Sequence, residues 1–81
     1  MKTDIEKLYS AYLGSTGVTT DSRKIESGAL FFALHGASFD GNDYAIQALT
    51  QGAMAAVVDR EDIIANNPEY AEQLLLVEDT L

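Results

Sequence analysis

Two short segments of this sequence carry most of its chemical promise. Thr20-Asp21-Ser22-Arg23 sets two hydroxyls, a carboxylate and a guanidinium within four residues, directly after the β-branched run Val18-Thr19-Thr20. Those groups fit a polar ligand, and they equally fit an Asx-type turn braced by an Asp21–Arg23 contact. The second segment, Gly36-Ala37-Ser38-Phe39-Asp40-Gly41, follows the apolar run Ala29-Leu30-Phe31-Phe32-Ala33-Leu34. Small residues and hydroxyls gathered beyond two strand ends are what the ligand-facing edge of an α/β sheet contains.

Other chemistries fall away on residue type. Gly36 and Gly41 have the glycine spacing of a phosphate loop, but Asn42 and Asp43 stand where that loop needs lysine and a hydroxyl, and Asp40 and Asp43 repel phosphate. His35 is the one histidine and there is no cysteine, so no metal-ligand spacing emerges. Ser22 and Ser38 have no base near them in sequence, which leaves a serine nucleophile unsupported. The residues show no catalytic group and no metal site. The acidic residues Asp59, Glu61, Asp62, Glu69, Glu72, Glu78 and Asp79 read as a solvated surface.

The elements that position these segments follow from period and punctuation. Thr3-Asp4-Ile5-Glu6 is a capping-box pattern. Ile5, Leu8, Tyr9, Tyr12 and Leu13 then recur at helical spacing, with Gly14 placed to take a left-handed C′ position. Asp40 caps a second helix, with Tyr44, Ala45, Ala48 and Leu49 as its buried stripe and Gly52 at its end. Met54-Ala55-Ala56-Val57-Val58 is apolar throughout, as a strand covered on both faces is. Strand, helix and strand in that order predict a right-handed βαβ crossover. Beyond it, residues 61–66 form a short helix with Ile63 and Ile64 inward, Pro68 interrupts, and Leu74-Leu75-Leu76-Val77 supplies a last buried strand. The expected class is α/β: a small mixed β-sheet flanked by helices, in one domain over residues 1–81.

Composition narrows the partners. A formal charge of −8 repels nucleic acid and anionic membrane surfaces. A small anion remains a suitable ligand, because backbone N–H groups and one local arginine can hold it within a negative molecule. There is no apolar leader, and no apolar run approaches the roughly 20 residues of a membrane span. Without cysteine there are no disulfides, and the expectation is a soluble, cytoplasmic protein.

Taken together, Thr20-Asp21-Ser22-Arg23-Lys24-Ile25, Gly28-Ala29-Leu30-Phe31-Phe32-Ala33-Leu34, Gly36, Phe39-Asp40-Gly41-Asn42, Tyr44, Ala48 and Gly52-Ala53 resemble the N-terminal domain of the Mur ligases. These ATP-dependent enzymes build the cytoplasmic peptide precursor of bacterial peptidoglycan. The resemblance runs over about residues 5–81 and lies nearest the branch that adds D-alanyl-D-alanine to UDP-N-acetylmuramoyl-tripeptide. The branch adding the third amino acid is the alternative, and a free-standing nucleotide- or protein-binding module is the reading from another class. The resemblance implies that this chain is the first of three domains and holds the uridine-diphosphate end of the substrate. The ATP and Mg2+ site, the D-alanyl-D-alanine site and every catalytic group would then lie in the other two domains. Carried over by motif, Thr20 and Ser22 meet the uridine or the diphosphate, and Ala37, Ser38 and Phe39 form a second contact segment. Arg23, Asp40 and Gly41 shape the site. Two departures stand out: His35 replaces a lysine common in relatives, and Ala37 and Phe39 replace more polar residues. Contacts in that segment would then run through backbone N–H groups or stacking on uracil.

Overall fold

The computed structural model describes residues 5–34 and 40–78, so the proposed Thr3–Glu6 capping box, His35, Ala37, Ser38 and Phe39 lie outside the described residues. Helix α1 (Ile5–Gly14) leads into β1 (Val18–Thr19) and β2 (Leu30–Phe32). A 3-10 turn (Gly41–Tyr44) runs into α2 (Ala45–Thr50), followed by β3 (Ala55–Val58) and α3 (Glu61–Asn66). A second 3-10 turn (Pro68–Tyr70) precedes β4 (Leu74–Leu76). The strands lie in the order β1-β2-β3-β4, and each neighbouring pair is parallel. The α/β class and the βαβ crossover are as expected. The sheet, expected to be mixed, is parallel throughout its described strands.

The unbroken apolar runs explain the layering. In β2, Leu30 points to one face with Ala55, Val57 and Leu75, and Phe31 points to the other with Ala56, Val58, Leu74 and Leu76. α1 covers the first face through Leu8 and Ala11; α2 and α3 cover the second through Ala45, Ala48, Leu49 and Ile63. Both crossovers between β2 and β4 therefore stay on one side, as same-handed connections between sequential parallel neighbours require. Full burial of Leu30 and Phe31 contributes roughly 1.5–3 kcal/mol each.

Three local expectations change. Tyr9, Tyr12 and Leu13 are exposed, because the narrow face of Leu30, Ala55, Val57 and Leu75 is filled by Leu8, Ala11, Phe32, Met54 and Val77. The two tyrosine rings stack on each other instead, with centroids 6.5 Å apart. Gly14 stays helical and does not adopt the left-handed conformation. Tyr44 also departs from the buried stripe and stands 46% exposed. Gly52 does end α2: at φ +115° its N–H bonds to Leu49 O at 3.2 Å and Ala53 N–H to Ala48 O at 3.1 Å. Those two bonds form a Schellman cap, and Ala53 and Ala48 meet in the core beneath it.

Candidate functional site

At the carboxyl end of β1 the chain makes a tight polar turn. Thr19 Oγ1 accepts a hydrogen bond from Asp21 N–H at 3.1 Å. Asp21 Oδ1 then accepts from Arg23 N–H at 2.9 Å and from Arg23 Nε at 3.1 Å, while Arg23 Nη2 reaches Oδ2 at 3.3 Å. The Asx turn is thus real, and it holds the Arg23 guanidinium at the surface, where its side chain is 84% exposed. Arg23's hydrogen bond holds the Asp21 carboxyl below its ordinary range, and the same bond raises Arg23.

At the carboxyl end of β2 a second turn is fixed from below. Asp40 caps the 3-10 turn, its Oδ1 accepting from Asn42 N–H at 2.9 Å. Asn42 is 1% exposed, and its amide works at both ends. Its Nδ2 donates to Asp40 Oδ1 at 2.6 Å and to Asp59 Oδ1 at 2.8 Å, while its Oδ1 accepts from Asp59 N–H at 3.0 Å. Arg60, just after β3, completes the clamp. Its Nη1 reaches Asp40 Oδ2 at 2.9 Å and Asp43 Oδ1 at 3.1 Å, and its Nε and Nη2 bind Asp62 in a fork at 3.0 and 2.6 Å.

Between the two turns lies a cleft of about 520 Å³ lined by Thr20, Asp21, Ser22, Arg23, Phe31, Gly41, Tyr44 and Gln47. It opens beyond the carboxyl ends of β1 and β2, where open parallel sheets bind ligands. Of the residues singled out from sequence, Thr20, Ser22, Arg23 and Gly41 line this one cleft. Asp40 sits beside it, turned into the Arg60 clamp. Ala37, Ser38 and Phe39 lie outside the described residues.

Sequence reasoning gave no role to Asn42, Arg60 or Gln47. Asn42 and Arg60 act across 17 to 20 residues of chain, which no local pattern encodes. The one available signal was position, since Arg60 stands just past a buried strand whose end must meet a neighbouring loop.

The described residues do not fit ATP phosphates. Gly41 N–H donates to Leu34 O at 2.7 Å, Asn42 N–H to Asp40 and Asp43 N–H to Asp40 O at 3.2 Å, so the backbone donors of residues 41–43 are spent within the chain. Among the described residues no His, Cys, Asp or Glu cluster is placed to hold a metal ion, and no helix is long and apolar enough to cross a membrane.

The family model described as "Mur ligase family, catalytic domain" matches residues 15–77. The chain belongs to the Mur ligase family. A UDP-N-acetylmuramoyl-tripeptide–D-alanyl-D-alanine ligase of Synechocystis is 50% identical over 64 residues, covering 79% of this chain and 13% of that relative. A UDP-N-acetylmuramoyl-L-alanyl-D-glutamate–2,6-diaminopimelate ligase of Mesorhizobium japonicum is 41% identical over 64 residues, again 79% and 13%. The crystal structure of MurF ligase from Thermotoga maritima in complex with ADP superposes with a TM-score of 0.67 at 28% identity, covering 84% of this chain and 14% of that one. This Mur ligase chain therefore spans about 13% of the length of the curated relatives it matches.

The clamp gives the Mur ligase chain a pH dependence. Burial pushes the Asp40 carboxyl up, but the Asn42 amide and backbone donors and Arg60 together hold it below its ordinary value of 3.8. Asp62 is held down chiefly by its hydrogen bond to Arg60. Depressed folded-state values mean that these carboxylates stabilise the fold above about pH 4 and lose that contribution as pH falls through the folded values. Urea midpoints should be insensitive to these groups from pH 7 to about 5 and fall below about 4. In Asp40→Asn the acid-side slope should be shallower; an unchanged slope would remove Asp40 from the account.

Proposed function

We propose that this chain grips the uridine-diphosphate end of UDP-N-acetylmuramoyl-tripeptide, as the N-terminal domain of a three-domain ligase that adds D-alanyl-D-alanine. The observation that carries this reading is the cleft, which gathers Thr20, Ser22, Arg23 and Gly41 in a chain of Mur ligase descent. Arg23 supplies a fixed cation for a phosphate, and the Thr20 and Ser22 hydroxyls supply donors that rotate to suit it. Ala37, Ser38 and Phe39 form the remaining contact segment, with Asp40 anchoring its end. Binding energy collected at this remote end orients the tripeptide's terminal carboxylate elsewhere in the enzyme. There, ATP with Mg2+ activates that carboxylate as an acyl phosphate, which the D-alanyl-D-alanine amine attacks. No catalytic group lies in residues 1–81, and the chain alone is inactive as a ligase. The reaction of the sister branch, addition of the third amino acid, is the second reading; it is favoured by the 41% identity to the diaminopimelate ligase.

Backbone amide shifts during a UDP titration test the assignment. Perturbations at residues 20–23 and 41–47, abolished by Ser22→Ala combined with Arg23→Ala, are expected. Shifts centred elsewhere, or none at millimolar UDP, would overturn the cleft as the uridine-diphosphate site.

A further inference from the structure

Arg60 stands between β3 and α3, and its guanidinium uses all three of its nitrogens on carboxylates. Nε and Nη2 fork onto Asp62 in the first turn of α3, while Nη1 grips Asp40 and Asp43 together. Asp40 caps the Gly41–Tyr44 turn and Asp43 lies within it, so one nitrogen holds that turn at two points. Gly41 and Tyr44 line the cleft, and Arg60 does not. It stands one step behind the residues that face a ligand.

Neither stability nor attraction accounts for that grip. The Arg60 side chain is 38% exposed and that of Asp43 62%, and ion pairs so open to water contribute little to folding. The buried Asn42 amide carries that load instead. One guanidinium among Asp40, Asp43 and Asp62 leaves a local excess of negative charge, so the cluster does not draw an anion in. Direction is what the arrangement supplies. A planar fork seated on Asp62 has a fixed orientation, and Nη1 passes it on to the turn. The cleft needs such a reference, because its lining comes from separate pieces of chain. Residues 20–23 are braced by the Asp21–Arg23 bonds within their own turn, whereas the Gly41–Tyr44 turn is held from outside, through Leu34, Asp59 and Arg60. Resting on the uridine-diphosphate reading of the cleft, we infer that Arg60 is a positioning residue for that ligand: acting through Asp40 and Asp43, it sets the Gly41–Tyr44 turn at the separation from the Thr20–Arg23 turn that bound UDP requires, without touching UDP itself.

UDP titrations of the 81-residue chain, with a urea midpoint for each variant, test the role. Arg60→Met should weaken UDP about tenfold with the midpoint little changed, since partners that orient ligand-contacting groups are worth about that much or more at metal sites. Arg60→Lys should be weakened nearly as much, because an ammonium keeps the charge but cannot fork onto Asp62 and reach Asp40 and Asp43 at once. Both deficits should persist between about 0.05 and about 0.5 M salt, since screening removes field effects and not positioning. Asp43→Asn removes a carboxylate whose described bond is to Arg60. It should weaken UDP about threefold in the parent and hardly at all when combined with Arg60→Met, as residues acting through one contact do. Recovery of affinity in Arg60→Lys, or at high salt, would reduce Arg60 to a charge and overturn the inference. Additive losses in the combined variant, or a urea midpoint that falls in step with affinity, would overturn it as well. Undiminished UDP binding by Arg60→Met would reject the Arg60 role and leave the uridine-diphosphate site standing. Failure of the parent chain to bind UDP would overturn both.

Discussion

Replacing Asn42 with alanine should cost about 2–3 kcal/mol of folding stability, a large share of the roughly 4–12 kcal/mol expected for a domain of this length. The side chain is 1% exposed and all its described bonds are long-range or capping bonds. Its NH2 group lies between two carboxylates, Asp40 and Asp59, and its carbonyl takes the Asp59 N–H. Alanine removes the shared donor from both carboxylates and the acceptor from that N–H, and water has little access to replace them. Asn42→Asp should be worse at neutral pH. It swaps two donors for lone pairs and sets a third carboxylate against Asp40 and Asp59, so the new group's folded-state pKa rises. A raised folded value means that stability is present at low pH and lost as pH rises through it. The deficit of Asn42→Asp relative to the parent should therefore narrow from pH 7 to pH 4.5, whereas that of Asn42→Ala should change little over that range, because the Asp40 carboxylate that loses its Asn42 donors titrates chiefly below it. Urea unfolding at pH 7 and pH 4.5 reads both. A deficit in Asn42→Asp that does not depend on pH would mean the three carboxylates are not held together.

The strands were legible because burial on both faces leaves an unbroken apolar run, and the runs at 29–34, 54–58 and 74–77 each contain a strand buried on both sides. Strand direction was less legible. β1 joins β2 through residues 20–29 without a helix, so no crossover in the sequence announced that this pair is parallel. Helical period identified α1 but could not choose its buried face. Leu8 and Ala11 satisfy the sheet, and Tyr9, Tyr12 and Leu13, at equally good spacing, do not reach it. The Asp21–Arg23 turn was readable because its partners sit two residues apart. The clamp was not, because Arg60 finds Asp40 twenty residues away, and only the folded register of β2 and β3 brings them together. Local chemistry is written in adjacent letters; chemistry between strand ends is written in the topology.

Gly41→Ala should lower the melting temperature by about 10–15 °C, from a stability loss of about 2 kcal/mol. Gly41 does not have positive φ, so the requirement for glycine here is not one of handedness. It is proximity. A Cβ at this position would meet the Leu34 carbonyl oxygen and would lie 2.9 Å from Leu34 N and 3.1 Å from Ala33 C. Every one of those atoms is backbone continuing from β2, and Ala33 is buried, so no side chain can swing aside. Relief has to come from lifting the 3-10 turn off the strand end. That lift breaks the 2.7 Å bond from Gly41 N–H to Leu34 O and strains the bonds of Asn42 to Asp59. Gly41 and Tyr44 also wall the cleft, so on the proposed uridine-diphosphate reading UDP affinity should fall even at temperatures where the variant is fully folded. Loss of stability with unchanged UDP affinity would detach Gly41 from the ligand site, and unchanged stability would mean the turn yields without cost. The spacing of Gly36 and Gly41 imitates a phosphate loop, yet at position 41 the missing Cβ serves contact between two backbones. Its contribution to a ligand is to hold the wall of the cleft against the strand that floors it.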